Sequence, residues 1–140
     1  KTHIDNFLDA GSTREEQKID EETKKIFNSE FEIFSTCVRV PVFVGHAESV
    51  YIETEKTVDL KKLKTKIKSL SELSLVDEHI DGGYVTPDET AGEDDVFVSR
   101  VRMGPNKKSL GLWVVADNLR KGAALNTVQI AELLVKQRII

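Results

Sequence analysis

The chain has 140 residues, 39% of them hydrophobic and 31% charged, with a formal net charge of −4. That suits one domain with a single core, is too apolar for a disordered chain, and offers no basic field for non-specific nucleic-acid binding. One cysteine excludes an intrachain disulfide and points to a reducing, cytoplasmic setting; no apolar run is long enough to span a bilayer, and the first five residues hold no signal-peptide hydrophobic region.

Residues 1–11 contain polar and Gly positions and read as a lead-in loop. The chain begins at Lys1 rather than Met, so a preceding piece is expected. Ser12 with Glu15, or Thr13 with Glu16, has the spacing of a capping box and opens a helix running to about Phe27. Its few apolar residues, Ile19, Ile26 and Phe27, predict a surface helix with one narrow buried stripe. Residues 31–44 then change character. Val38, Val40, Val42 and Val44 alternate with Cys37, Arg39, Pro41 and Phe43, which predicts a strand with its valine face buried. Pro41 cannot donate to a ladder and marks an edge or an irregularity. Gly45 and His46 are expected at the end of this strand. A second strand follows, with Val50 and Ile52 on one face and Ser49, Tyr51 and Glu53 on the other.

Asp59 is placed to cap a helix over 60–70 whose inner face is Leu60, Leu63, Ile67 and Leu70. Its lysines (Lys61, Lys62, Lys64, Lys66, Lys68) read as a solvated face rather than a binding patch. A short strand is expected over 73–77. A long loop over 78–94, with Gly82, Gly83, Pro87 and many acids, has the length of functional or interfacial loops. Strands over 95–103 and 110–116 flank a turn at Gly104-Pro105-Asn106. A last helix is expected from Leu119 to about Arg138, with Ala123, Ala124, Val128, Ala131 and Leu134 inward. Gly122 near its start costs roughly 1 kcal/mol against Ala and implies close approach by another element. The order predicts an α+β domain, a mixed and largely antiparallel sheet with helices packed on one face.

Few residues stand out for chemistry. His46 follows a Gly at a strand end, where a scaffold can present a side chain. An imidazole has an unperturbed pKa near ~6.5, suited to proton transfer, and a positioned base contributes roughly 10²–10⁴ in rate. A lone His is as readily structural. Arg39 in mid-strand is either half of a structural ion pair or a planar fork for a carboxylate. Cys37 shares its face and reads best as an inert thiol. Glu15 and Lys18, three apart, share a helical face and taken alone are a capping glutamate and a solvated lysine. The sequence holds no Gly-x-Gly-x-x-Gly, no P-loop, no zinc-ligand pattern and no recognisable Ser/His/Asp set. By motif alone it is not a complete enzyme.

Cys37-Val38-Arg39-Val40-Pro41-Val42-Phe43-Val44-Gly45-His46-Ala47 resembles the active-site signature of aspartate-β-semialdehyde dehydrogenases: Cys-x-Arg, an aliphatic residue, four positions, a small residue, His and a small residue. Just upstream, Ile33-Phe34 departs from the family's aliphatic and small polar pair, at no catalytic position. The stretch from Thr13 to Lys18 with Glu22-Thr23-Lys24-Lys25-Ile26, the segment from Val96 to Arg102, and the segment from Trp113 to Asn126 are similar to the family as well. The resemblance covers nearly the whole chain.

What the resemblance implies is a glyceraldehyde-3-phosphate dehydrogenase-like C-terminal fold and a chemistry. A cysteine thiolate attacks aspartate semialdehyde, hydride passes to NADP, and phosphate releases the acyl group as β-aspartyl phosphate. The reverse direction leads toward lysine, threonine and methionine. By matching position, His46 is the acid/base group, Arg39 grips the substrate α-carboxylate, Glu15 holds the α-ammonium, Lys18 binds phosphate and Asn118 contacts the cofactor. No metal is implied. Residues 1–140 then form the substrate-binding and dimerisation part of a homodimer, and the helix near 119–138 packs on a nucleotide-binding domain not contained in this sequence. The nucleophilic cysteine of the family lies before this segment and Cys37 is not it, so these residues alone are expected to be inactive. Two alternatives stay open: a non-catalytic dimerisation or binding module of the same fold, and a related N-acetyl-γ-glutamyl-phosphate reductase.

Overall fold

The computed structural model describes residues 4–140; of the expected lead-in loop, residues 1–3 lie outside the described residues. The chain divides into two compact units, Lys1–Pro41 and Val42–Ile140.

The first unit is built on one helix, α1 (Arg14–Phe27). Of the two capping registers the sequence allows, the structure uses Thr13 with Glu16: the Thr13 hydroxyl accepts from the Glu16 backbone, and the Glu16 carboxylate accepts the Thr13 N–H at 2.6 Å. The helix ends in a left-handed Asn28, a residue that tolerates that conformation. The expected buried stripe is not there. Ile26 and Phe27 are exposed, and Phe27 instead meets the ring of Phe31 edge-on at 5.7 Å between centroids.

The strand expected over 31–44 is likewise absent: residues 29–45 form neither helix nor strand. Val38 and Val40 are 67% and 54% exposed. Alternation and β-branching make such a segment able to extend, but a strand also needs a partner ladder, and Pro41 removes a donor from its middle. His46, expected at the end of a strand, is the first residue of one.

In the second unit a four-stranded sheet has the order β1 (His46–Glu53), β4 (Ser109–Ala116), β3 (Val96–Met103), β2 (Leu73–Leu75). The β1–β4 and β4–β3 pairs are antiparallel and the short β2 runs parallel to β3. The domain is thus α+β with a mixed, mostly antiparallel sheet, as the element order predicts. Helix α2 (Leu60–Lys68), capped by the Asp59 side chain, covers one face. Its Ile67 packs with Val98 and Val101, and Leu60, Leu63, Leu73, Leu75 and Leu112 surround them.

Val98 and Val101 have opposite parity, so a regular strand would point them to opposite faces. A register shift between Ser99 and Arg102, with Arg100 at φ 55°, inserts the extra residue that brings Val101 back to the face of Val98. Asp77 lies beside this bulge. Its buried carboxylate pairs with Lys64 at 2.6 Å, and the nearby backbone N–H groups of Arg100 and Val101 help to hold its pKa low.

Ser99 and Trp113, directly paired, take the other face. There the loop after residue 84 is fastened to the sheet: the Val85 N–H donates to the Ser99 hydroxyl at 3.2 Å, and the Trp113 indole N–H donates to the Val85 carbonyl at 2.8 Å. A single 3₁₀ turn, Pro87–Glu89, follows.

The last helix is broken in character. A π-helical turn, Arg120–Ala124, precedes α3 (Leu125–Lys136). Of the residues expected to face inward, Ala123, Ala124, Val128 and Ala131 are exposed and Leu134 is half-buried. The helix is apolar around most of its circumference, which marks it for burial, but the described residues do not cover it. Gly122 is similar: a Cβ there would meet only the Asn118 Cβ, at an ordinary 3.7 Å.

Candidate functional site

The first unit carries Glu15, Lys18 and Arg39. Capping fixes the phase of α1, and that phase places Glu15 and Lys18 side by side, with Lys18 Nζ 3.5 Å from Glu15 Oε1. Both side chains are more than one-third exposed, so the pair contributes little to stability. Its consequence is a carboxylate and an ammonium presented together to solvent. Between them in sequence, Glu16 points elsewhere. One carboxylate oxygen accepts from the Thr13 N–H at 2.6 Å, and the other accepts from the Cys37 N–H at 2.7 Å. Cys37 first and Thr13 second hold the Glu16 carboxyl below its ordinary pKa. The Cys-x-Arg segment is thereby tied to the helix that bears Glu15 and Lys18. Cys37 is half-buried and Arg39 is exposed.

The second unit carries His46 and Asn118. His46 opens β1 opposite Ala116 and is exposed. The residue before it, Gly45, has φ +109°, a conformation glycine adopts freely and L-residues do not. A Cβ at Gly45 would lie 3.4 Å from both the Ala116 carbonyl oxygen and the Pro87 Cβ. The Gly45 N–H donates to Asn118 Oδ1 at 2.9 Å, so Asn118 is bonded to the turn that leads into His46.

Asn118 is itself positioned by its neighbour. Asp117, 3% exposed, accepts the N–H groups of Gly92 at 2.8 Å, Leu119 at 2.8 Å and Arg120 at 3.2 Å. The Gly92 bond foremost, then those of Leu119 and Arg120, keep its carboxyl below the ordinary range against the effect of burial. Arg120 also forms an ion pair with Asp94. The 90–94 loop and the start of the π turn are therefore locked to one carboxylate.

Among the described residues, no group of three or more His, Cys, Asp or Glu is placed to hold a metal ion, and no helix is long and apolar enough to cross a membrane. The structure gathers Glu15, Lys18 and the Cys37–Arg39 segment in one unit, and His46 with Asn118 in the other. Two residues of these clusters were not singled out for the site from sequence. Glu16 was visible as a capping partner, but nothing local reveals that its second oxygen reaches residue 37. Asp117, just ahead of a helical turn, has the position of a capping acid.

Comparison with known proteins places the chain in a family. Residues 1–121 match the model of the semialdehyde dehydrogenase dimerisation domain. The chain is 45% identical to the aspartate-semialdehyde dehydrogenase of Aquifex aeolicus, over 99% of this chain and 41% of the relative. It is 44% identical to that of Rickettsia bellii, over 96% of this chain and 40% of the relative. Among solved structures, the Vibrio cholerae aspartate semialdehyde dehydrogenase II complexed with ASA matches with a TM-score of 0.88 at 44% identity, over 96% of this chain and 40% of that one. The chain belongs to the semialdehyde dehydrogenase family, in its dimerisation domain. It spans about two-fifths of the length of these relatives.

Proposed function

We propose that this chain is the substrate-binding and dimerisation part of an NADP-dependent, phosphorylating aspartate-semialdehyde dehydrogenase. Its reaction interconverts β-aspartyl phosphate and aspartate semialdehyde, on the route to lysine, threonine and methionine, in a cytoplasmic homodimer. What carries the proposal is the extended likeness to the Vibrio cholerae structure in both sequence and fold, together with the residues that the family chemistry calls for standing at matching positions here.

Each role follows from what the group can do. Arg39 offers a planar fork to the substrate α-carboxylate. Glu15 is an acceptor for the α-ammonium, and Lys18, beside it, is a cation for phosphate. His46 takes a proton as the thiol adds to the aldehyde and returns one in the opposite direction. NADP, when bound, supplies the hydride acceptor. The fit on this chain is a single donor: with Oδ1 engaged by Gly45, Asn118 has its amide Nδ2 to offer the cofactor. The nucleotide-binding domain is proposed to lie outside these residues and to cover the apolar helix near 119–138.

The test is a kinetic split in the intact protein. Arg39→Ala should raise KM for aspartate semialdehyde by about tenfold or more, and Lys18→Ala should do the same for phosphate, because each removes a charge-assisted contact worth roughly 1.5–3 kcal/mol. Equal effects of both variants on both substrates would count against the assignment.

A further inference from the structure

Glu16 has no part in the roles above, yet its carboxylate reaches across from α1 to residue 37. Its two oxygens accept two backbone N–H groups, one from Thr13 at 2.6 Å and one from Cys37, 21 residues from Glu16 itself, at 2.7 Å. Both are short, charge-assisted bonds. A capping box needs only one acceptor, since Glu and Gln serve equally at that position. The second oxygen is therefore surplus to capping, and its partner lies two residues before Arg39. The segment from 29 to 41 forms no strand or helix of its own, so an anchor at Cys37 contributes to where Arg39 can stand relative to Glu15 and Lys18.

We propose that Glu16 is a positioning residue that clamps the Cys37–Arg39 segment to α1, setting the register between the carboxylate fork of Arg39 and the paired charges of Glu15 and Lys18. The inference rests on the substrate roles proposed above. A misplacement of about 1 Å in such a constellation costs up to ~10²-fold, and it acts on binding before chemistry.

Glu16→Gln separates the two duties, because an amide keeps one acceptor for the Thr13 N–H and has none left for Cys37. Thr13→Ala is the complementary control: it removes the hydroxyl cap and leaves the Cys37 bond. Two readouts on the intact protein are required. Amide hydrogen exchange at Cys37 should quicken by tenfold or more in Glu16→Gln, with α1 still protected, and should be unchanged in Thr13→Ala. Initial rates should show KM for aspartate semialdehyde raised about tenfold in Glu16→Gln with kcat within about threefold, and no such rise in Thr13→Ala. Unchanged exchange at Cys37 would overturn the clamp. Faster exchange with unchanged KM, or equal KM effects in both variants, would overturn the positioning role. Wild-type protein inert toward aspartate semialdehyde would sink the functional reading and the positioning role with it, while the exchange result would still decide whether the clamp exists.

Discussion

Asn118 accepts the backbone N–H of Gly45 at 2.9 Å across 73 positions of sequence, and that bond fixes the turn from which His46 emerges. Asp117 locks the Asn118 side of the contact, while Pro87, in a loop fastened by Ser99 and Trp113, stands against Gly45 itself. The backbone that leads into His46 is thus held on both sides of one glycine.

Substituting that glycine tests the point. At φ +109° with a Cβ 3.4 Å from two neighbours, Gly45→Ala should cost about 1–3 kcal/mol of stability. Because the strain lies beside His46, kcat should fall by about tenfold while KM for either substrate changes little. Thermal unfolding and initial rates check both parts. An Ala variant with unchanged Tm and kcat would show that the turn can relax without moving the imidazole.

Lys64 and Asp77 make a second, independent prediction. The Asp77 side chain is 3% exposed and that of Lys64 29%. Burial alone would raise the Asp77 carboxyl; the hydrogen bond and charge of Lys64, with the Arg100 and Val101 N–H groups, outweigh it and hold the pKa low. A carboxyl lowered on folding adds stability above its unfolded pKa near ~3.9, and loses it as pH falls through the folded value. Lys64→Met should therefore cost about 1–3 kcal/mol at neutral pH, and the gap from wild type should narrow below about pH 4 as Asp77 takes a proton. Urea midpoints of the intact protein from neutral pH to about pH 3 measure it. A gap that does not depend on pH would mean lost packing rather than a lost ion pair.

Much of the fold is legible in the sequence where the signal is local. Thr13 with Glu16 and Asp59 with Lys62 start their helices by side-chain bonds to nearby N–H groups, and the strands expected over 95–103 and 110–116 lie within a residue of β3 and β4. The failures share a cause. The valines of 31–44 and the apolar residues of α3 have the pattern of surfaces that are usually buried. Periodicity does not say whether the covering partner lies in the same stretch of chain, and Val38, Val40, Val128 and Leu133 are at least half exposed here. The bulge at Arg100 was hidden for a different reason: an extra residue reverses parity, and nothing in Ser99-Arg100-Val101 marks it. The candidate site was readable as residue types at family spacing, whereas the bonds that hold them, Glu16 to Cys37 and Asn118 to Gly45, join positions too far apart for local patterning to predict.

The central claim is that His46 belongs to a dehydrogenase acting on aspartate semialdehyde, and phosphate-dependent NADP reduction by the intact protein tests it most directly. Wild type should turn over, and His46→Ala should lose about two decades or more in kcat, the range of a positioned acid/base group. Wild-type protein inert with aspartate semialdehyde, or His46→Ala at full rate, would contradict the account and leave a dimerisation or binding module that keeps the fold.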